Sequence, residues 1–172
     1  RCSVTGFVIA SAIIHAIGFP LDDAWIHQTY ARNLAEHGEW AFVPGETSVA
    51  STAPLYTLVL SLGYVLRIPF FVWTFVLGAF ALTGAAWFGR RLGVLLFPDY
   101  AGVGMWSGLV MVSAWHLVWA ASSGMETMLF STLSLAVVWL GWREREQVVD
   151  PTAVPQAFRR GVMLGLTGAA LT

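Results

Sequence analysis

Apolar residues run along this chain in long blocks, without the alternation of a strand or the single stripe of a surface helix. The blocks cover 3–19, 53–66, 69–89, 101–121 and 127–142, and another begins near residue 161. A helix crossing a bilayer core of roughly 30 Å needs about 20 residues. Blocks 69–89 and 101–121 reach that length. Blocks 3–19 and 127–142 are shorter and span with snorkelling flanks or local thinning. The block at 53–66 (APLYTLVLSLGYVL) is too short and reads as an interfacial or re-entrant piece. The predicted fold class is therefore all-α: a polytopic transmembrane helical bundle, with interfacial helices in its first external loop.

Polar positions organise the remainder. Pro20 and Leu21 end the first block, and Asp22-Asp23 follow at once. An amphipathic helix is expected over 23–37, with Ile26, Tyr30 and Leu34 on one face and Gln28, Arg32 and Glu36 on another. Asp22 is placed as its N-cap, and Gly38 is its predicted stop. Pro44-Gly45 marks a turn in the following loop. Ser51 or Thr52 is positioned to cap the next helix, with Pro54 in its first turn.

Composition agrees with burial in lipid. The chain is 57% hydrophobic and 11% charged, with mean hydropathy +0.69, against about 25% charged in soluble domains. Nine Trp and eleven Phe suit membrane–water interfaces. Every basic charge except histidine is Arg, which points to a GC-rich bacterial genome. Cys2 stands alone, so neither an intrachain disulfide nor a thiolate cluster is available. Nothing in the charge pattern calls for a nucleic-acid partner. The first block lacks an n-region and cleavage site and reads as a signal-anchor or first span. The 172 residues are expected to be the N-terminal part of a longer transmembrane domain that continues beyond Thr172.

Orientation follows from the arginines. With 53–66 outside the membrane core, Arg90, Arg91, Arg143, Arg145, Arg159 and Arg160 all fall on the cytoplasmic side together with Arg1. Residues 20–68 then form one long external segment, and Ser122–Glu126 forms a second, short one. Asp22, Asp23, Glu36, Glu39, Glu46 and Glu126 are external; Asp99, Glu144, Glu146 and Asp150 are internal. Acids from two separate loops can thus converge above the bundle. The expected location is a bacterial cytoplasmic membrane, crossed several times, with the site facing the periplasm or exterior.

The stretch Leu21-Asp22-Asp23-Ala24-Trp25-Ile26, then Tyr30-Ala31-Arg32-Asn33-Leu34, Gly38, Pro44-Gly45-Glu46 and Thr52-Ala53-Pro54-Leu55 resembles the first external loop of GT-C glycosyltransferases. It is most similar to their bacterial arabinofuranosyltransferase-like branch, and Ser123-Gly124-Met125-Glu126-Thr127 resembles that branch's second-loop motif. The resemblance covers most of residues 20–130. It implies a multi-pass, inverting hexosyl- or pentosyltransferase. Such an enzyme moves a sugar from a polyprenyl-phosphate donor to a glycan or lipid acceptor of the cell envelope, amid membrane lipids. It implies Asp22 or Asp23 as the base, with Asp22 narrowly preferred, and Glu126 as the second-loop acid. Arg32 and Tyr30 are the candidate substrate contacts. A divalent cation, Mg²⁺ or Mn²⁺, stays open, with Asp22, Asp23 and Glu126 as its ligands if one binds.

Other roles compete for the same residues. Asp22 and Asp23 complement a helix N-terminus, Ser123-x-x-Glu126 has the spacing of a capping box, and Arg32 can snorkel to lipid phosphates. Tyr30 reads most simply as an interface anchor, and Trp25 or Trp40 could stack on a sugar. His27 and His37 lack ligand spacing, while His15 and His116, inside spans, are expected to face bundle hydrogen bonds. At the level of the whole protein, the alternatives are a transporter or lipid-linked-glycan translocase, or a non-catalytic protein of the same fold.

Overall fold

A computed structural model describes residues 18–46 and 48–147, with side chains described through Arg143. Most of the predicted first span and the block from residue 161 lie outside the described residues, as do His15, Asp150, Arg159 and Arg160. The described chain forms six α-helices: α1 (Asp22–His37), α2 (Pro54–Val65), α3 (Phe70–Leu96), α4 (Val103–Ser113), α5 (Trp115–Ser122) and α6 (Thr127–Gln147). An isolated bridge between Val43 and Glu46 closes the predicted Pro44-Gly45 turn.

The central element is α3, 27 residues long. Among the described helices it alone is long and apolar enough to cross a membrane unaided. The predicted 101–121 span is instead broken: α4 and α5 meet at Ala114 with a bend of 54°. Ser113 donates its hydroxyl to the Leu109 carbonyl at 2.6 Å, a back-bond that competes with the helix ladder just before the break. Pro54–Val65 and Thr127–Arg143 are shorter apolar helices.

Close packing around α3 depends on small residues. Gly89 and Gly93 of α3 face α4, where a Cβ would meet Met111 and Ser107 respectively. Gly104 and Gly108 of α4 face back onto the Arg90 and Ala86 carbonyls. Two G-x-x-x-G spacings thus oppose each other and let the backbones approach. On its other side α3 packs Ala81, Leu82 and Ala85 against Val118, Ala121 and Met128. Thr132 of α6 donates to the Ala81 carbonyl at 2.6 Å, joining α6 to α3.

Helix α1 begins one residue earlier than predicted. Leu21 is the N-cap without a side-chain cap, so Asp22 and Asp23 are the first two helical residues. Gly38, at φ 71°, ends the helix as expected. The buried face differs from the predicted Ile26–Tyr30–Leu34 stripe. Ala24, His27, Gln28, Tyr30, Ala31 and Asn33 are buried, so Gln28 leaves the supposed polar row while Arg32 and Glu36 stay exposed. The polar members are matched by long-range bonds. Gln28 donates to Thr74 at 2.7 Å and accepts from Tyr64 at 2.9 Å, tying α1 to α2 and α3. Asn33 donates to the Ala41 and Phe42 carbonyls and holds the loop against α1.

Candidate active site: two loops joined at His27 and Glu126

The sequence arranges this site by one helical spacing and one glycine turn. His27 lies one turn after Asp23 on α1, so the two share a face, with Cβ atoms about 5–6 Å apart. Between α5 and α6, Gly124 takes φ 81°, a backbone conformation that favours glycine. A Cβ there would stand 2.5 Å from the Phe19 ring, itself packed among Trp25, Phe71 and Phe75. The turn delivers Glu126 to His27: Oε2 and Nε2 lie 3.2 Å apart.

The pair sits at an edge of the interior. His27 is 2% exposed and Glu126 29%. The facing atoms meet at ion-pair distance without reaching hydrogen-bond geometry, and neither has another partner within the described chain. Contact with the His27 ring holds the Glu126 carboxyl below the ordinary carboxylate range, against burial, which pushes it up. Glu126 is thus an anion at neutral pH. Behind it, His27 Nδ1 lies 3.3 Å from Ser51 Oγ and 3.4 Å from Thr57 Oγ1, and the two hydroxyls are 2.8 Å apart. This set orients the imidazole from its far side.

Tyr56 completes the frame. Its ring meets His27 edge-on at 5.7 Å, and its hydroxyl donates to the Gly124 carbonyl at 2.9 Å. Burial, reinforced by the charge of Glu126, drives the Tyr56 pKa well upward, so the phenol remains a donor. Through this bond α2 fixes the turn carrying Glu126.

The predicted site residues fall into three groups. Asp22 and Asp23 are both exposed at the start of α1, and Asp23 is on the His27 side. Tyr30 is fully buried, unlike an interface anchor; its hydroxyl contacts Ser48 at 2.6 Å and accepts from the Ala50 amide at 2.9 Å, strapping the loop to α1. Arg32 is exposed, nine positions after Asp23 and so about half a turn out of phase with it. Its charge acts on Tyr64 rather than on the Glu126 region.

Two predicted caps are used differently. Ser51 turns to His27, leaving Ala53 as the N-cap of α2, with Pro54 in the first turn as expected. Ser123 donates to the Ala120 carbonyl and Glu126 reaches His27, so no capping box forms. His116 is exposed rather than turned into the bundle. Among the described residues no three His, Cys, Asp or Glu side chains gather as a metal site, Asp22, Asp23 and Glu126 included. The participant that sequence reading ranks low is His27. Its spacing from Asp23 is the available signal, but its meeting with Glu126 depends on tertiary packing.

Compared with family models, curated proteins and solved structures, the chain gives no match.

Proposed function

We propose that this chain belongs to a multi-pass membrane glycosyltransferase of the GT-C type. It would transfer a sugar from a polyprenyl-phosphate donor to a cell-envelope hydroxyl at the outer face of a bacterial membrane. The carrying observation is the 3.2 Å contact between His27 and Glu126, which joins the two loops that supply acids in the resemblance. Membrane placement is supported by an exposed apolar stripe on α3, including Val72, Val76 and Phe80, the last 80% exposed. It is also supported by exposed Trp106, Leu109 and Val110 on α4.

In this reading Asp23 is the stronger candidate for the base, because it shares the His27 face; Asp22 points elsewhere on the helix. The carboxylate takes the acceptor proton as the acceptor oxygen attacks the anomeric carbon. The bond from that carbon to the phosphate oxygen breaks, and polyprenyl phosphate leaves with the electron pair. Attack opposite the leaving group inverts the anomeric centre. Glu126 and His27 position the acidic end of α1. Arg32, about half a turn out of phase with Asp23 and nine residues along α1, lies away from the phosphate that leaves at Asp23, which weakens its candidacy as a donor contact.

The test is donor turnover by the full-length enzyme in proteoliposomes, comparing wild type with Asp22→Asn, Asp23→Asn and Glu126→Gln at equal expression. Wild-type rates in all three variants would refute the assignment. The 54° break between α4 and α5 favours a second reading, a lipid-linked-glycan translocase. Movement of labelled glycolipid across the bilayer without sugar transfer would select it.

A further inference from the structure

At the opposite end of α3 from Arg67 lies a cavity of about 850 Å³ between α3 and α6. Its lining includes Trp87, Arg90, Arg91, Leu95, Trp139 and Arg143. Two guanidinium groups are set by aromatic faces: Arg91 lies 4.9 Å from the Trp87 ring centre and Arg143 5.4 Å from that of Trp139. The two indoles meet edge-on, with ring centres 5.6 Å apart, so the two arginine–indole pairs adjoin across α3 and α6. Among the described side chains, no carboxylate lies within ion-pair distance of Arg90, Arg91 or Arg143. Three arginines thus line one cleft.

We propose that this cleft binds the phosphodiester headgroup of an anionic glycerophospholipid in the cytoplasmic leaflet. Arginine suits this ligand because its planar fork pairs with two phosphate oxygens at once. Basic pockets between helices at the cytoplasmic side are a general form of lipid-headgroup site. Geometry selects a lipid over free phosphate. From Trp87 the same face of α3 continues through exposed Phe80 and Val76, giving acyl chains an apolar track leading away from the arginines. The inference rests on α3 crossing the membrane, but is independent of sugar transfer.

The experiment uses the full-length protein, purified in mild detergent and titrated with phosphatidylglycerol or phosphatidylcholine under native mass spectrometry. Wild type should retain phosphatidylglycerol in preference to phosphatidylcholine. Arg91→Gln with Arg143→Gln should weaken that retention by roughly fivefold per arginine removed, and Arg91→Lys with Arg143→Lys should restore part of it. Arg67→Gln, a charge loss at the other end of α3, should leave retention unchanged. Equal retention of both lipids, equal loss in the Arg67 variant, or inorganic phosphate binding as tightly as the lipid would each overturn the proposal. Alkaline carbonate extraction separates the failures. A carbonate-resistant protein without lipid preference lacks only this site, whereas an extracted one also defeats the membrane placement.

Discussion

Glu126 Oε2 stands 3.2 Å from His27 Nε2, and this single contact joins the turn before α6 to the first helix of the described chain. His27 is held from behind by Ser51 and Thr57, while Glu126 is held through Gly124 by Tyr56. Both sides of the pair are braced by α2, since Thr57 contacts His27 and the neighbouring Tyr56 touches the His27 ring as well as the Gly124 carbonyl.

That arrangement predicts coupling. Glu126→Gln and His27→Gln should each destabilise the protein by about 1–3 kcal/mol, because each leaves a buried polar partner behind. The double variant should lose less than the sum, with an interaction energy of about 0.5–3 kcal/mol. Denaturant titration of the four proteins in one detergent measures it. Strict additivity would show that the contact carries no energy.

The acid response has a defined sign. The Glu126 pKa is lowered in the folded state from its ordinary value of 4.5. Its contribution is therefore fully present above about pH 4.5 and is lost as pH falls through the depressed value. Melting temperatures followed downward from pH 7 should decline through this range in wild type. The decline should be shallower in Glu126→Gln, and parallel curves would assign the acid limb to other groups.

Two glycines with similar backbone angles should respond differently to a methyl group. At Gly45, φ is 87° and an added Cβ would have nothing within 4 Å, whereas at Gly124 φ is 81° and the Phe19 ring would be 2.5 Å away. Gly45→Ala should cost about 1–2 kcal/mol, the left-handed penalty alone. Gly124→Ala should cost more, since Phe19 is braced by neighbouring aromatic rings. It should also displace Glu126 and reduce turnover, which Gly45→Ala should not. Paired unfolding and transfer assays check both halves.

Legibility in the sequence depends on the range of the interactions. Helix α3 is readable because an apolar block of spanning length declares itself, and Gly38 and Pro54 mark helix ends by local backbone chemistry. The break at Ala114 is hidden: no Pro or Gly marks it, and the local signal is only a serine back-bond. The buried face of α1 departs from expectation for a different reason. His27, Gln28 and Asn33 are polar, and each is made tolerable inside by a partner distant in sequence: Ser51, Thr74 and Ala41. Hydrophobic periodicity carries no record of such partners. The opposed glycine pairs of α3 and α4 are present in the sequence as two G-x-x-x-G spacings, and only their mutual alignment needs the structure.

The adjacent acids of α1 offer the sharpest functional distinction. Asp22 and Asp23 are both exposed in the first turn, so solvation does not separate them. Helical phase does. Asp23 is one turn before His27, while Asp22 is one turn before Ile26, about 100° away around the axis. Glu126 approaches the His27 side. For the proposed transferase, a base working beside Glu126 is better supplied by Asp23 than by Asp22, and Asp23→Asn should lower turnover by about 10²-fold or more. Asp22→Asn should lower it only a few-fold, through a weakened charge–dipole interaction at the helix N-terminus. Both substitutions remove one charge from the same turn, so their stabilities should be similar and the comparison isolates chemistry. Steady-state turnover at saturating donor decides between them. A larger loss for Asp22→Asn would reverse the assignment and show that the acceptor approaches α1 from the face opposite His27.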